Sequence, residues 1–88
     1  MSRHRREDVS VGLVRILGPF IGQAMARASV DGQWDKLNLG AEAEDDGVEQ
    51  LLAALAPGLN VFVGRKKGEA LMAEAALAVG VSMSARKP

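Results

Sequence analysis

The chain has no cysteine, no threonine and no tyrosine, and its single histidine, His4, stands beside Arg3, Arg5 and Arg6. Each absence removes a class of chemistry. Without cysteine there is no disulfide framework and no thiolate metal site, which fits a reducing compartment. Ser2, Ser10, Ser29, Ser82 and Ser84 have no second histidine to act as a base. His4 itself reads as a charge in a basic segment rather than as a catalyst. Five of the eleven acidic residues cluster in one stretch, where water solvates them instead of tuning them as an acid–base pair. The sequence therefore predicts a non-enzyme with no cofactor and no metal.

Aromatic residues are scarce too. Only Phe20, Trp34 and Phe62 are present, and the 48% apolar content is mostly Ala, Leu and Val. Small aliphatic side chains suit close helix packing, whereas sheets are enriched in β-branched and aromatic residues, threonine among them. At 88 residues the chain is one domain. A domain of this size buries about 60–65% of the surface its unfolded chain exposes. The expected fold is all-α, a compact bundle of roughly three to five short helices with flexible charged termini. An α+β fold with a short strand at 59–63 is the alternative. The expected organisation is a basic arm over 1–8, one helical domain over 9–80 and a tail over 81–88.

Long hydrophobic runs are missing. Eleven uncharged residues separate Arg15 from Arg27, about half of the ~20 that span a bilayer. The start does not resemble a signal peptide, because Glu7 and Asp8 precede the apolar run and Arg15 interrupts it. The expectation is a soluble, cytoplasmic protein with no membrane partner.

Asp8 is placed to cap a helix from Val9. Leu13, Leu17, Phe20, Ile21, Ala24 and Ala28 follow at helical intervals. Pro19 lacks an N–H for the carbonyl of Arg15, so either one helix kinks there or a second helix starts at Pro19. Gly18, Gly22 and Ala26 form a small-residue stripe that lets another helix approach, as core packing or as a dimer seam. Asp31-Gly32 and Asn38-Leu39-Gly40 read as turn or C-cap signals, with one helical turn over 33–37 between them. Trp34 reads as a lid over the core edge, or as an exposed anchor for a partner.

Residues 40–47 read as a flexible acidic connector, with Asp45 or Asp46 as the cap of the next helix and Asp46 with Glu49 resembling a capping box. Val48, Leu51, Leu52 and Leu55 give that helix one apolar face, and Pro57 disfavours helix at Ala56. Residues 58–64 fit either a helical turn or a short strand, with helix favoured because only 79–83 could pair with a strand there. A last helix is expected over 69–79, with a stripe of Leu71, Ala75 and Ala78 widened by Met72, Ala76 and Val79, and Gly80 as its stop. No internal repeat is visible.

Net charge is zero, but the charge is segregated. Arg3, Arg5 and Arg6 begin the chain, Glu42, Glu44, Asp45, Asp46 and Glu49 form an acidic run, and Arg65-Lys66-Lys67 form a basic turn. Glu42, Glu44, Asp46 and Gly47 fit the opening of a calcium loop, but Ala53 stands where its bidentate Glu belongs. Gly64-Arg65-Lys66-Lys67-Gly68 lacks the spacing and terminal Lys-Ser/Thr of a Walker loop. It has three residues between its glycines where the backbone-clamping loop of KH domains has two.

The stretch Ile16-Leu17-Gly18-Pro19-Phe20-Ile21-Gly22-Gln23-Ala24-Met25, followed by Glu49-Gln50-Leu51-Leu52-Ala53-Ala54-Leu55, resembles short helical accessory domains appended to bacterial kinases and other signalling proteins. The resemblance spans about a quarter of the chain and implies a small helical protein-interaction module, able to associate with copies of itself. No functional residue transfers with it.

The sequence thus points to a protein–protein interaction module, self-associating through patches of opposite charge. Its expected partner-binding residues are Glu44, Asp45 and Asp46 on the acidic side, Arg65, Lys66 and Lys67 on the basic side, and Trp34. The alternatives are nucleic-acid binding through Arg3, Arg5, Arg6, Arg65, Lys66 and Lys67, or inhibition of a nucleic-acid enzyme by the acidic run.

Overall fold

A computed structural model describes residues 3–81. Ser2, Ser82, Ser84, Arg86 and Lys87 lie outside the described residues.

Four helices and one small sheet make up the fold, in the order β1 (Arg3–Arg5), α1 (Arg6–Ile21), α2 (Gln23–Lys36), β2 (Glu42–Glu44), α3 (Asp45–Val63) and α4 (Arg65–Ala78). The strands pair antiparallel, with His4 opposite Ala43, Arg3 opposite Glu44 and Arg5 opposite Glu42. The helical bundle expected from composition is therefore present, with a two-stranded ribbon added. Residues 59–63 are helical, so the alternative strand there is not formed. Residues 3–8, expected as part of a mobile arm, are strand and first helical turn. The acidic connector is likewise ordered as β2 and the start of α3.

Each helix buries a stripe at three- and four-residue intervals. The stripe is Val9, Leu13 and Leu17 on α1, Ala26, Val30 and Trp34 on α2, and Val48, Leu51, Leu52, Leu55 and Leu59 on α3. On α4 it is Leu71, Met72, Ala75 and Ala76. The face expected to continue through Phe20, Ala24 and Ala28 does not, because the chain turns at Gly22 and the helical phase restarts. Phe20, Ala24 and Ala28 are exposed. The capping expectations also shift. The helices begin at Arg6 and Asp45, ahead of Asp8 and Asp46, and neither has a side-chain cap. Asp31 and Gly32 lie inside α2, and the left-handed turn comes later, at Asn38 (φ 59°).

Pro19 and Pro57 sit inside helices. Each leaves one carbonyl without its helical donor, that of Arg15 or Ala53. Arg15, Pro19, Ala53 and Pro57 are all exposed, so both prolines lie on the solvent side of their helices, which continue past them.

The order strand–helix–helix occurs twice, although no residue repeat marks it. The two halves share a hinge. Gly22 and Gly64 have φ near +90° with extended ψ, a conformation close to one that only glycine adopts readily. Each hinge amide donates to the carbonyl four residues back, Gly18 at 2.7 Å and Asn60 at 2.8 Å. Each hinge carbonyl accepts from the amide four residues on, Ala26 at 2.9 Å and Gly68 at 2.8 Å. One residue thus ends a helix and opens the next.

Among the described residues, no helix is long and apolar enough to cross a membrane.

A candidate docking groove and its basic corner

The strand register decides what happens to the first two charged segments. Pairing β1 with β2 lays the basic start along the acidic run. Arg3 lies between Glu42 (3.8 Å) and Glu44 (3.7 Å). His4 Nε2 meets Asp45 Oδ1 at 2.6 Å, with the imidazole side chain only 11% exposed. Arg6 donates to Asp35 at 2.9 Å and to Asp31 at 3.5 Å, and its guanidinium lies 5.9 Å from the Trp34 ring centroid. Arg27 pairs with Glu7 at 2.9 Å and with Asp31 at 3.5 Å. Hydrogen bonds to Asp35 and to Glu7 raise the Arg6 and Arg27 guanidinium pKa values above their ordinary range. His4 is therefore hydrogen-bonded to Asp45 at the edge of the core, where the sequence read it as a charge in a tail.

Trp34 departs furthest from its expected role. It is 0% exposed, at the centre of the core with Leu13, Leu17, Leu51 and Leu52. Its indole N–H donates to the Gly40 carbonyl at 2.6 Å. It is neither a lid nor an anchor that an incoming partner can touch. The calcium-loop alignment also dissolves, since Glu42 and Glu44 lie in a strand and Asp46 in a helix. Among the described residues no cluster of three or more His, Asp or Glu is placed to hold a metal ion.

The third charged segment is different. Arg65, Lys66 and Lys67 occupy the first turn of α4 and are all exposed. Lys67 Nζ lies 5.2 Å from the centroid of Phe20, a cation–π distance. Among the described residues Arg65 and Lys66 have no ion pair. Cations at a helix N-terminus oppose the positive end of its dipole. The cluster is thus placed where it does not help the helix.

Beside this corner runs a groove of about 340 Å³ between α2 and α3, with the end of α1 contributing to it. Leu17, Leu55 and Leu59 are its buried base. Met25 and Phe62, 46% and 57% exposed, stand at its edge. Gly32 of α2 and Gly58 of α3 also line it, and a Cβ added at either would meet nothing within 4 Å. The related seam between α1 and α4 is filled differently, for Val79 packs within 3.1 Å of where a Gly12 Cβ would stand. Glycine inside a helix is roughly 0.5–1 kcal/mol less stable than alanine. Two such residues bordering empty space keep the groove wide at a cost to the helices that carry it.

Met25, Gly32, Gly58 and Phe62 were not singled out from the sequence. One signal was there. Leu59, Val61, Phe62 and Val63 fall within five residues. If that run is helical, one face cannot bury them all. Val61 and Phe62 are the two left exposed.

No protein-family model, curated protein or solved structure matches this chain.

Proposed function

We propose that this protein is a protein-interaction module that receives an apolar segment of its partner in the groove between α2 and α3. The open groove edged by Met25 and Phe62 carries this reading. Methionine adapts to varied contact surfaces, and aromatic side chains dominate the energetics of interfaces. A half-exposed Phe and Met over a leucine base offer a partner apolar area that this chain leaves in water.

Self-association through opposite charges loses support, because Glu44 and Asp45 already face Arg3 and His4 of the same chain. The same pairing weakens the idea of an acidic run that imitates phosphates. Nucleic-acid binding keeps Arg5 and the 65–67 cluster but loses Arg3 and Arg6 to carboxylates.

Site-specific photo-cross-linking in cells tests the groove. A photoreactive phenylalanine analogue at position 62 is expected to give one discrete adduct with another protein. The same analogue at Gln50, an exposed position on α3, is expected to give none. Gly58→Leu, which fills the groove, should abolish the position-62 adduct. Equal labelling from both positions, or none from either, would contradict the proposal.

A further inference from the structure

The groove and the basic corner together define the kind of partner, and the inference below rests on the groove being the docking surface. We infer that the occupant is an acidic amphipathic helix from a different protein, lying in the groove with carboxylates against Arg65, Lys66 and Lys67.

Three observations lead there. The first concerns the backbone. Both groove walls are helices whose N–H and C=O groups are bonded along α2 and α3, apart from the Ala53 carbonyl that Pro57 leaves without its donor. An extended segment entering the groove would find no backbone partner, and its own polar groups would be stranded against leucine. A helix satisfies them internally and presents side chains at i, i+3, i+4 and i+7, the usual way a groove between helices is filled. A volume near 340 Å³ holds a few such side chains, not a whole chain.

The second concerns charge. Phe62 lines the groove, the hinge follows at Gly64, and the three cations follow at once. Lys67 reaches back over Phe20, the neighbour of groove-lining Ile21. A partner seated on Phe62 and Ile21 therefore has its end beside three positive charges, none of which has an ion pair among the described residues. Complementary carboxylates would speed encounter and fix the direction in which the helix lies.

The third argues against a second copy. A two-fold dimer places the same patch on both subunits, so each groove would bring its own basic cluster to the shared interface. A head-to-tail contact would need a free acidic patch, and the 42–45 run is held by Arg3 and His4.

A surface-displayed library of helical peptides of about five turns, selected against the whole chain, tests this. Enriched peptides are expected to carry Leu, Met or Phe at i, i+3/i+4 and i+7, with Asp or Glu at one end. The double charge reversal K66E/K67E should weaken them at least about tenfold, and Glu→Lys peptides should recover that loss. Both lysines are exposed, and an unchanged thermal melt confirms the variant's fold. Sedimentation equilibrium should show a monomer at all concentrations. Binders without acidic bias, or indifferent to K66E/K67E, would overturn the inference and leave the groove reading intact. So would a dimer that dissociates on Phe62→Asp. Failure to recover any binder sensitive to Gly58→Leu would remove both.

Discussion

Ser10 is completely buried on α1, and its hydroxyl has no hydrogen-bond partner among the described residues. An unmatched buried hydroxyl costs about 1–3 kcal/mol, and alanine is the better helix former. Ser10→Ala is therefore expected to stabilise the protein by about 1 kcal/mol, seen as a higher urea midpoint with an unchanged slope. A lower midpoint would mean that the hydroxyl is bonded after all. Ser10 shows what single residues disclose in advance. Its lack of a catalytic base was legible, since the chain has one histidine. Its burial follows from spacing, since Ser10 stands three and seven residues before Leu13 and Leu17 and shares their face; its polarity is what kept it out of the expected apolar stripe. Trp34 misled for another reason. Asp31-Gly32 read as a turn that put Trp34 on the rim, whereas α2 runs through both and carries its indole inward.

At the scale of elements, apolar spacing was the dependable signal and helix-breaking residues were not. The stripe Val48, Leu51, Leu52 and Leu55 is buried as its spacing implied. Pro57 was expected to disfavour helix at Ala56, yet α3 continues to Val63, with Ala53 and Pro57 on its exposed side. The breaks fall instead at Gly22 and Gly64, where a positive φ redirects the chain. Two glycines separate these effects. Gly64→Ala forces a side chain into the hinge conformation and should cost about 1–3 kcal/mol. Gly32→Ala, inside α2 with nothing within 4 Å of the new Cβ, should gain about 0.5–1 kcal/mol. Chemical denaturation of both variants checks the pair. A neutral Gly64→Ala would mean that the hinge does not depend on glycine's conformational freedom.

At the scale of the whole molecule, the pairing of β1 with β2 was beyond reach from the sequence. Each strand has three residues, too few for alternation to register. The basic start and the acidic run were both visible, but only their register turns two patches into one neutralised ribbon. Among what remains outward are the groove and the Arg65–Lys67 corner. Both are built from features that do not favour the folded state, helix-interior glycines and cations at a helix N-terminus. The account therefore holds that this surface is shaped for a partner. The most direct measurement pairs the thermal melt of Gly58→Leu with its position-62 cross-link. The variant removes a helical glycine and fills the groove, so its melting temperature should hold or rise while the adduct disappears. An adduct of undiminished yield in the folded variant would contradict the account.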